Sequence, residues 1–331
     1  MTRIGTWDVR RASRLVSLLC IVLLMAAGGA GPAAQSDDLP EETLPRAQAL
    51  IRDRNTTVGV SPHFKIYTDD PRLNPKKAAE LLESFREHFM QDWASFPGLK
   101  EDASPAHVFL FYSRFKYARL QGAGVREIHP FDLGHYNPQA DIIAMQTDFT
   151  APDDLPDALV HEAAHQLTRA MLIGAEVFGS PWLMEGLAEY YGNMRRDPKS
   201  GFQPGRIGSK GTWLFHEGSG GRGTRGGMRE DELKQYRKEQ SQGVAAPVEV
   251  LVNMRDPAQF LSEGSLMRYT ASWMLVHFLM SGEQGRHREG FMRYVAKEAA
   301  GEPGADALYG ALGLDAAALQ KAFEAHVKRP S

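Results

Sequence analysis

The pentapeptide His161-Glu162-Ala163-Ala164-His165 constrains this chain most, because a helix that carries it must present both imidazoles on one face. Residues i and i+4 of a helix lie one above the other, about 6 Å apart along the axis. Both rings can therefore reach one zinc ion at ~2.0–2.1 Å. Glu162 falls beside such a metal rather than on it. There it can take a proton from water and hand it to a leaving amine. Two histidines on a half-exposed helix face are the plain alternative, and the surrounding chain has to decide.

Residues 155–173 read as one helix, with Asp154 a possible cap and acidic residues in the first turn. A catalytic zinc usually has three protein ligands and one open position. One extended pattern would place Gly and His three and six residues after His165. Thr168 and Met171 stand there instead and exclude it. The next candidate is Glu185, in Pro181-Trp182-Leu183-Met184-Glu185-Gly186-Leu187-Ala188-Glu189-Tyr190. Ser180 as N-cap and Pro181 at the first position start this second helix, which runs to about Tyr191 and stops at Gly192-Asn193. The short link 174–180 allows it to pack antiparallel to the first. Gly186 inside it costs ~1 kcal/mol relative to Ala, which suggests close helix approach, with Ala163 and Ala164 leaving room opposite. Glu189, one turn after Glu185, is placed to accept the free N–H of His161 and so fix its tautomer. A solvated carboxylate is the alternative for Glu189.

The combination of HEAAH with PWLMEGLAEYY resembles the gluzincin metallopeptidases, and more closely the peptidase-MA-like domains of secreted bacterial proteins. The likeness extends to an early strand and helix (64–93) and a late helix (269–279), although only the two zinc-site helices are sharply specific. It implies a zincin-like α+β fold: an N-terminal mixed α/β lobe with a small sheet, a mainly helical C-terminal lobe, and one catalytic Zn2+ in the cleft between them. It implies His161, His165 and Glu185 as metal ligands, Glu162 as general base, and a peptide or protein substrate. Such families often supply a tyrosine to the oxyanion, for which Tyr269 is the best candidate. Its alternative is core packing, since Tyr269, Trp273, Val276 and Met280 form a helical stripe.

The rest of the chain supplies context. Its 331 residues, 43% hydrophobic, suffice for one large domain or two lobes. Arg3, Arg10, Arg11 and Arg14, the apolar run 15–27 and small residues 28–34 read as a secretory signal; an uncleaved N-terminal anchor is the alternative. Export to the periplasm or the medium is therefore expected. Loss of residues 1–34 removes four Arg and one Asp, leaving 34 basic and 40 acidic residues, so nucleic-acid and anionic-membrane partners are not expected. Cys20, the sole cysteine, leaves with that segment, so no disulfide is expected.

Residues 35–57 read as a lead-in with an amphipathic stretch near 44–51, 58–195 as the lobe carrying both zinc helices, and 229–331 as helical. Residues 196–228, rich in Gly, read as a long loop. Within the first lobe, 58–68 reads as a strand, 75–96 as a helix, 107–112 as a strand, and 133–136 with 141–146 as a hairpin. Helical patterns return at 229–241, 265–282, 285–300, 304–312 and 315–328. His107, His129, His135, His216 and His277 lack partners at ligand spacing. The aromatic run Phe109, Phe111, Tyr112, Phe115 reads as core. A non-catalytic zinc-organised binding module, or a zinc amidase acting on cell-wall cross-links, would share this pattern. The oligomeric state is not legible.

Overall fold

Alternation along three short strands sets how the first half packs. The computed structural model describes residues 40–101, 105–124, 133–148, 155–174, 177, 179–197, 201–207 and 227–329. The chain begins with helix α1 (Pro40–Ile51). Strands β1 (Thr57–Val60) and β2 (Phe64–Thr68) follow, then α2 (Pro75–Asp92), β3 (Ala106–Phe111), α3 (Arg114–Leu120), β4 (Gly134–Asn137) and β5 (Ile142–Gln146). The five strands form one sheet in the order β1-β2-β3-β5-β4. Its centre, β2-β3-β5, is parallel, with Ile66 paired to Val108 and Val108 to Ile143; β1 and β4 add antiparallel edges.

A side-chain period of two sends Ile66, Val108, Leu110, Ile143 and Met145 to one face, and Tyr67, Phe109, Phe111, Ile142 and Ala144 to the other. The first face meets α2 and helix α4 (Leu155–Leu167); the second meets α1 and α3. Both faces are dry, which explains why these strands are almost continuously apolar.

Several expectations change here. Residues 58–68 are two strands, not one: the chain turns at Ser61-Pro62-His63, where Ser61 N–H bonds Phe64 O. The lead-in contains a full helix, α1, with Ala47 and Ile51 buried. Phe109 and Phe111 are core, but Tyr112 and Phe115 are 43% and 68% exposed. The 155–173 helix is α-helical only to Leu167 and then widens into a π-helix, Thr168–Ile173, which Gly174 ends in the left-handed region. Asp154 and the segment 1–34 lie outside the described residues.

The second half is built around one helix. After the π-helix comes α5 (Pro181–Gly192), then a hairpin of β6 (Met194–Asp197) and β7 (Gly201–Ile207). Residues 201–207, expected as loop, are thus a strand; 208–226 lie outside the described residues. Helices α6 (Gly227–Ser241), α7 (Val248–Asn253), α8 (Pro257–Leu261), α9 (Ser265–Ser281), α10 (Arg288–Ala299), α11 (Ala305–Leu312) and α12 (Ala316–Lys328) complete the chain. The architecture is α+β, with twelve α-helices among the described residues. All of α5 is buried, packed between α4 and α9, and one apolar core runs from the sheet through these three helices to α10–α12. Among the described residues no helix is long and apolar enough to cross a membrane.

Helix α12 docks on α9 through two buried imidazoles, His326 Nε2 lying 2.9 Å from His277 Nδ1. Burial, with His277 and His287 close by, pushes His326 down to about 4, and burial alone does the same to His135. The unfolded chain, whose histidines titrate near 6.5, therefore binds more protons as pH falls from about 6.5 to 4. Stability is lost across that window, by up to about 3 kcal/mol for a shift of this size. Denaturant unfolding at about pH 7 and about pH 4.5 is expected to show the loss, and His326→Gln to make it smaller. An unchanged pH slope in His326→Gln would contradict this.

Candidate metal centre

Two polar stripes meet between a pair of buried helices. On α4, Asp157, His161 and His165 recur every four residues and share one face; on α5, Glu185 and Glu189 do the same. The helices run antiparallel. Glu185 Oε2 lies 3.7 Å from His165 Nε2 and 3.7 Å from His161 Nε2. One turn on, Glu189 Oε1 is 3.6 Å from His161 Nδ1. At the end of α5, a Cβ on Gly192 would stand 3.1 Å from Asp157 O and 3.2 Å from His161 Cβ, so a glycine lets the helices close there.

Gly186 serves a different neighbour. A Cβ on it would stand 2.7 Å from Val276 Cγ2 and 2.8 Å from Ser272 O, both on α9. The close approach expected at Gly186 is present, but its partner is α9 and not α4. The reason is angular: one residue turns a helix by about 100°, so positions 185 and 186 face different neighbours.

The three donors converge. His161 Nε2 and His165 Nε2 are 3.2 Å apart. A triangle with sides of 3.2, 3.7 and 3.7 Å has a circumradius of about 2.05 Å, which matches zinc–nitrogen and zinc–carboxylate bond lengths. Among the described residues this is the one group of three or more His, Cys, Asp or Glu whose donor atoms all come within 4.8 Å of one another. Histidine nitrogens with one carboxylate oxygen suit zinc chemically.

Electrostatics argue the same way. His161, Glu162, His165, Glu185 and Glu189 are all buried, Glu189 completely. Burial, helped by the charge of Glu189, holds the Glu185 carboxyl well above its usual range; burial, helped by His161, holds His165 well below its own. Glu185 Oε2 and His165 Nδ1 make no hydrogen bond. A buried, unbonded carboxylate oxygen facing two imidazole nitrogens is a costly arrangement on its own. A divalent cation offsets that cost, so the residues fit the metal.

The outer contacts differ in part from expectation. Glu189 faces His161 as the spacing suggests, but 3.6 Å exceeds a hydrogen bond. Asn193 Nδ2 instead donates to Glu189 Oε2 at 2.6 Å and to the Glu189 carbonyl at 2.8 Å. Ser180 does occupy the N-cap of α5, yet its hydroxyl caps nothing. Glu298 on α10 accepts the Ser180 N–H, and Arg255 donates to the Ser180 hydroxyl. Asn193 was readable four residues after Glu189; Glu298 carries no sequence signal and becomes visible only once α10 lies over α5.

Glu162 is buried on α4 beside His161. Tyr269 is buried on α9 with its ring edge-on to Phe260 at 5.3 Å, and its whole stripe is core. Of the other histidines singled out in the sequence, His107 stacks on Tyr67, His135 contacts Tyr117 OH and His277 contacts His326. His129 and His216 lie outside the described residues. No protein-family model matches the chain, and no curated protein matches it.

Gly186→Ala separates helix propensity from packing. Propensity favours Ala by ~1 kcal/mol. The added methyl meets a backbone carbonyl and a branched side chain that cannot both retreat, and overpacking costs about 1–3 kcal/mol. A net loss of about 1 kcal/mol is expected in chemical denaturation. A gain in stability would show that α9 is not packed on Gly186.

Proposed function

We propose that this chain is a zinc-dependent peptidase of the gluzincin kind, similar to the peptidase-MA-like domains. The observation that carries the reading is the convergence of His161 Nε2, His165 Nε2 and Glu185 Oε2 on a point about 2.05 Å from each, with Glu162 next in the chain to a ligand. Bound there, zinc supplies Lewis-acid polarisation of a scissile carbonyl and acidifies an attacking water. Glu162 takes the proton of that water and returns it to the departing amide nitrogen. Glu189 orients the His161 ring. Tyr269 is the candidate hydrogen-bond donor to the developing oxyanion. The site would open to peptide substrate between the sheet-bearing lobe and the helical lobe. Residues 1–34 are proposed as the export signal, which puts the enzyme outside the cytoplasm.

The near-complete burial of all three donors also supports a second reading, a zinc-organised binding module without turnover. An amidase acting on cell-wall cross-links would use the same chemistry with a different cleft.

Two variants discriminate. Glu162→Gln is expected to keep zinc-dependent thermal stabilisation but to lose cleavage of a peptide library by at least ~100-fold, the scale of general-base catalysis. Undiminished cleavage in that variant would overturn the mechanism. Glu185→Gln is expected to lose the rise in Tm on adding zinc to chelator-treated protein, because the site keeps only two strong donors. Zinc bound by wild type with no peptide cleaved would favour the module.

A further inference from the structure

Arg196 is the buried cation that the peptidase reading does not use. It lies on β6, just after α5, and is 1% exposed. Its guanidinium pairs with Asp157 on α4, four residues before His161. Its Nη1 reaches the Gly192 carbonyl at the end of α5, at 3.4 Å. The ring of Phe202, from β7, lies 5.7 Å from the guanidinium and stacks on His88 at 5.4 Å. The β6–β7 register shifts between Met194, which pairs with Ile207, and Arg195, which pairs with Gln203.

These contacts complete a ladder across the helix seam. Its rungs are His165 with Glu185, His161 with Glu189, and Asp157 with Arg196. The first two rungs are 3.6–3.7 Å contacts, longer than a hydrogen bond. The third is a charged bridge that holds α4 through a carboxylate and α5 through its C-terminal carbonyl, where a cation is favoured. Sliding by one residue moves a helix by about 1.5 Å, whereas a metal site tolerates about 0.5 Å.

We propose that Arg196 is a positioning residue that sets the register of α4 on α5, and so the convergence of His161, His165 and Glu185. The proposal rests on the metal reading above. The β6–β7 hairpin is then the element that delivers this side chain to the seam.

The test is zinc affinity by chelator competition, with Tm and circular dichroism measured alongside. R196M is expected to weaken zinc binding by about 10–100-fold, the usual scale for a residue supporting metal ligands. R196K keeps the charge but replaces the rigid planar fork with a point charge on a flexible stem, so an intermediate loss is expected. A folded R196M that binds zinc as tightly as wild type overturns the proposal. Should R196M fail to fold, R196K decides: weaker binding at unchanged Tm supports positioning, and unchanged affinity overturns it. Wild type that takes up no zinc sinks the metal reading instead. The register claim is then read from hydrogen exchange in metal-free protein, where R196K should speed exchange in residues 158–167 and leave β2 and β3 alone; unaltered exchange overturns it.

Discussion

A helix buried along its whole length carries two carboxylates, and the surroundings of the site answer to that charge. Glu185 and Glu189 project from α5 into a seam with no open water around them. An ion taken out of water loses several kcal/mol of hydration unless partners replace it. Glu189 has Asn193 and the His161 ring. Glu185 has two imidazole nitrogens at 3.7 Å and no hydrogen bond to Oε2. Neutral imidazoles offer lone pairs, not charge, and together with the Glu185 carboxylate they are donors that would suit a divalent cation. Asp157, at the far end of the same seam, shows the alternative solution: a side-chain cation, Arg196, supplied by the chain itself.

Burial also fixes the donors in place. Helix α5 is held against α4 at Gly192 and against α9 at Gly186. The backbone amide of its N-cap, Ser180, donates to Glu298 of α10, a negative group at the positive end of the helix dipole, and its last carbonyl accepts from Arg196. His161, His165 and Glu185 thus sit on packed helices rather than on loops, which would favour precise metal geometry. The same packing links the sheet to the C-terminal helices through one core, so the elements that carry His161, His165 and Glu185 are also central to that core.

Much of this was readable in the chain, for identifiable reasons. Histidines four apart and carboxylates four apart follow from helix geometry alone, and the Ser180-Pro181 start and Gly192-Asn193 stop bounded α5 correctly. Strands β3, β4 and β5 were found because apolar residues cluster between turn signals. What escaped depends on contacts distant in sequence. A glycine announces close approach but not its partner, so Gly186 pointed to the wrong helix. A π-helix has no pattern distinct from an α-helix. Exposed aromatics such as Phe115 mimic core. Strand β7 was hidden by the Gly- and Pro-containing sequence around it, and nothing in the sequence singles out Arg196, whose burial follows from Asp157 and Phe202 lying beside it.

The most direct test of the centre is anomalous diffraction at the zinc edge from crystals of the protein grown with zinc. The expected result is a single peak about 2.0–2.2 Å from His161 Nε2, His165 Nε2 and Glu185 Oε2. Zinc found only at other groups, or these three donors left bare in crystals that contain zinc, would contradict the assignment.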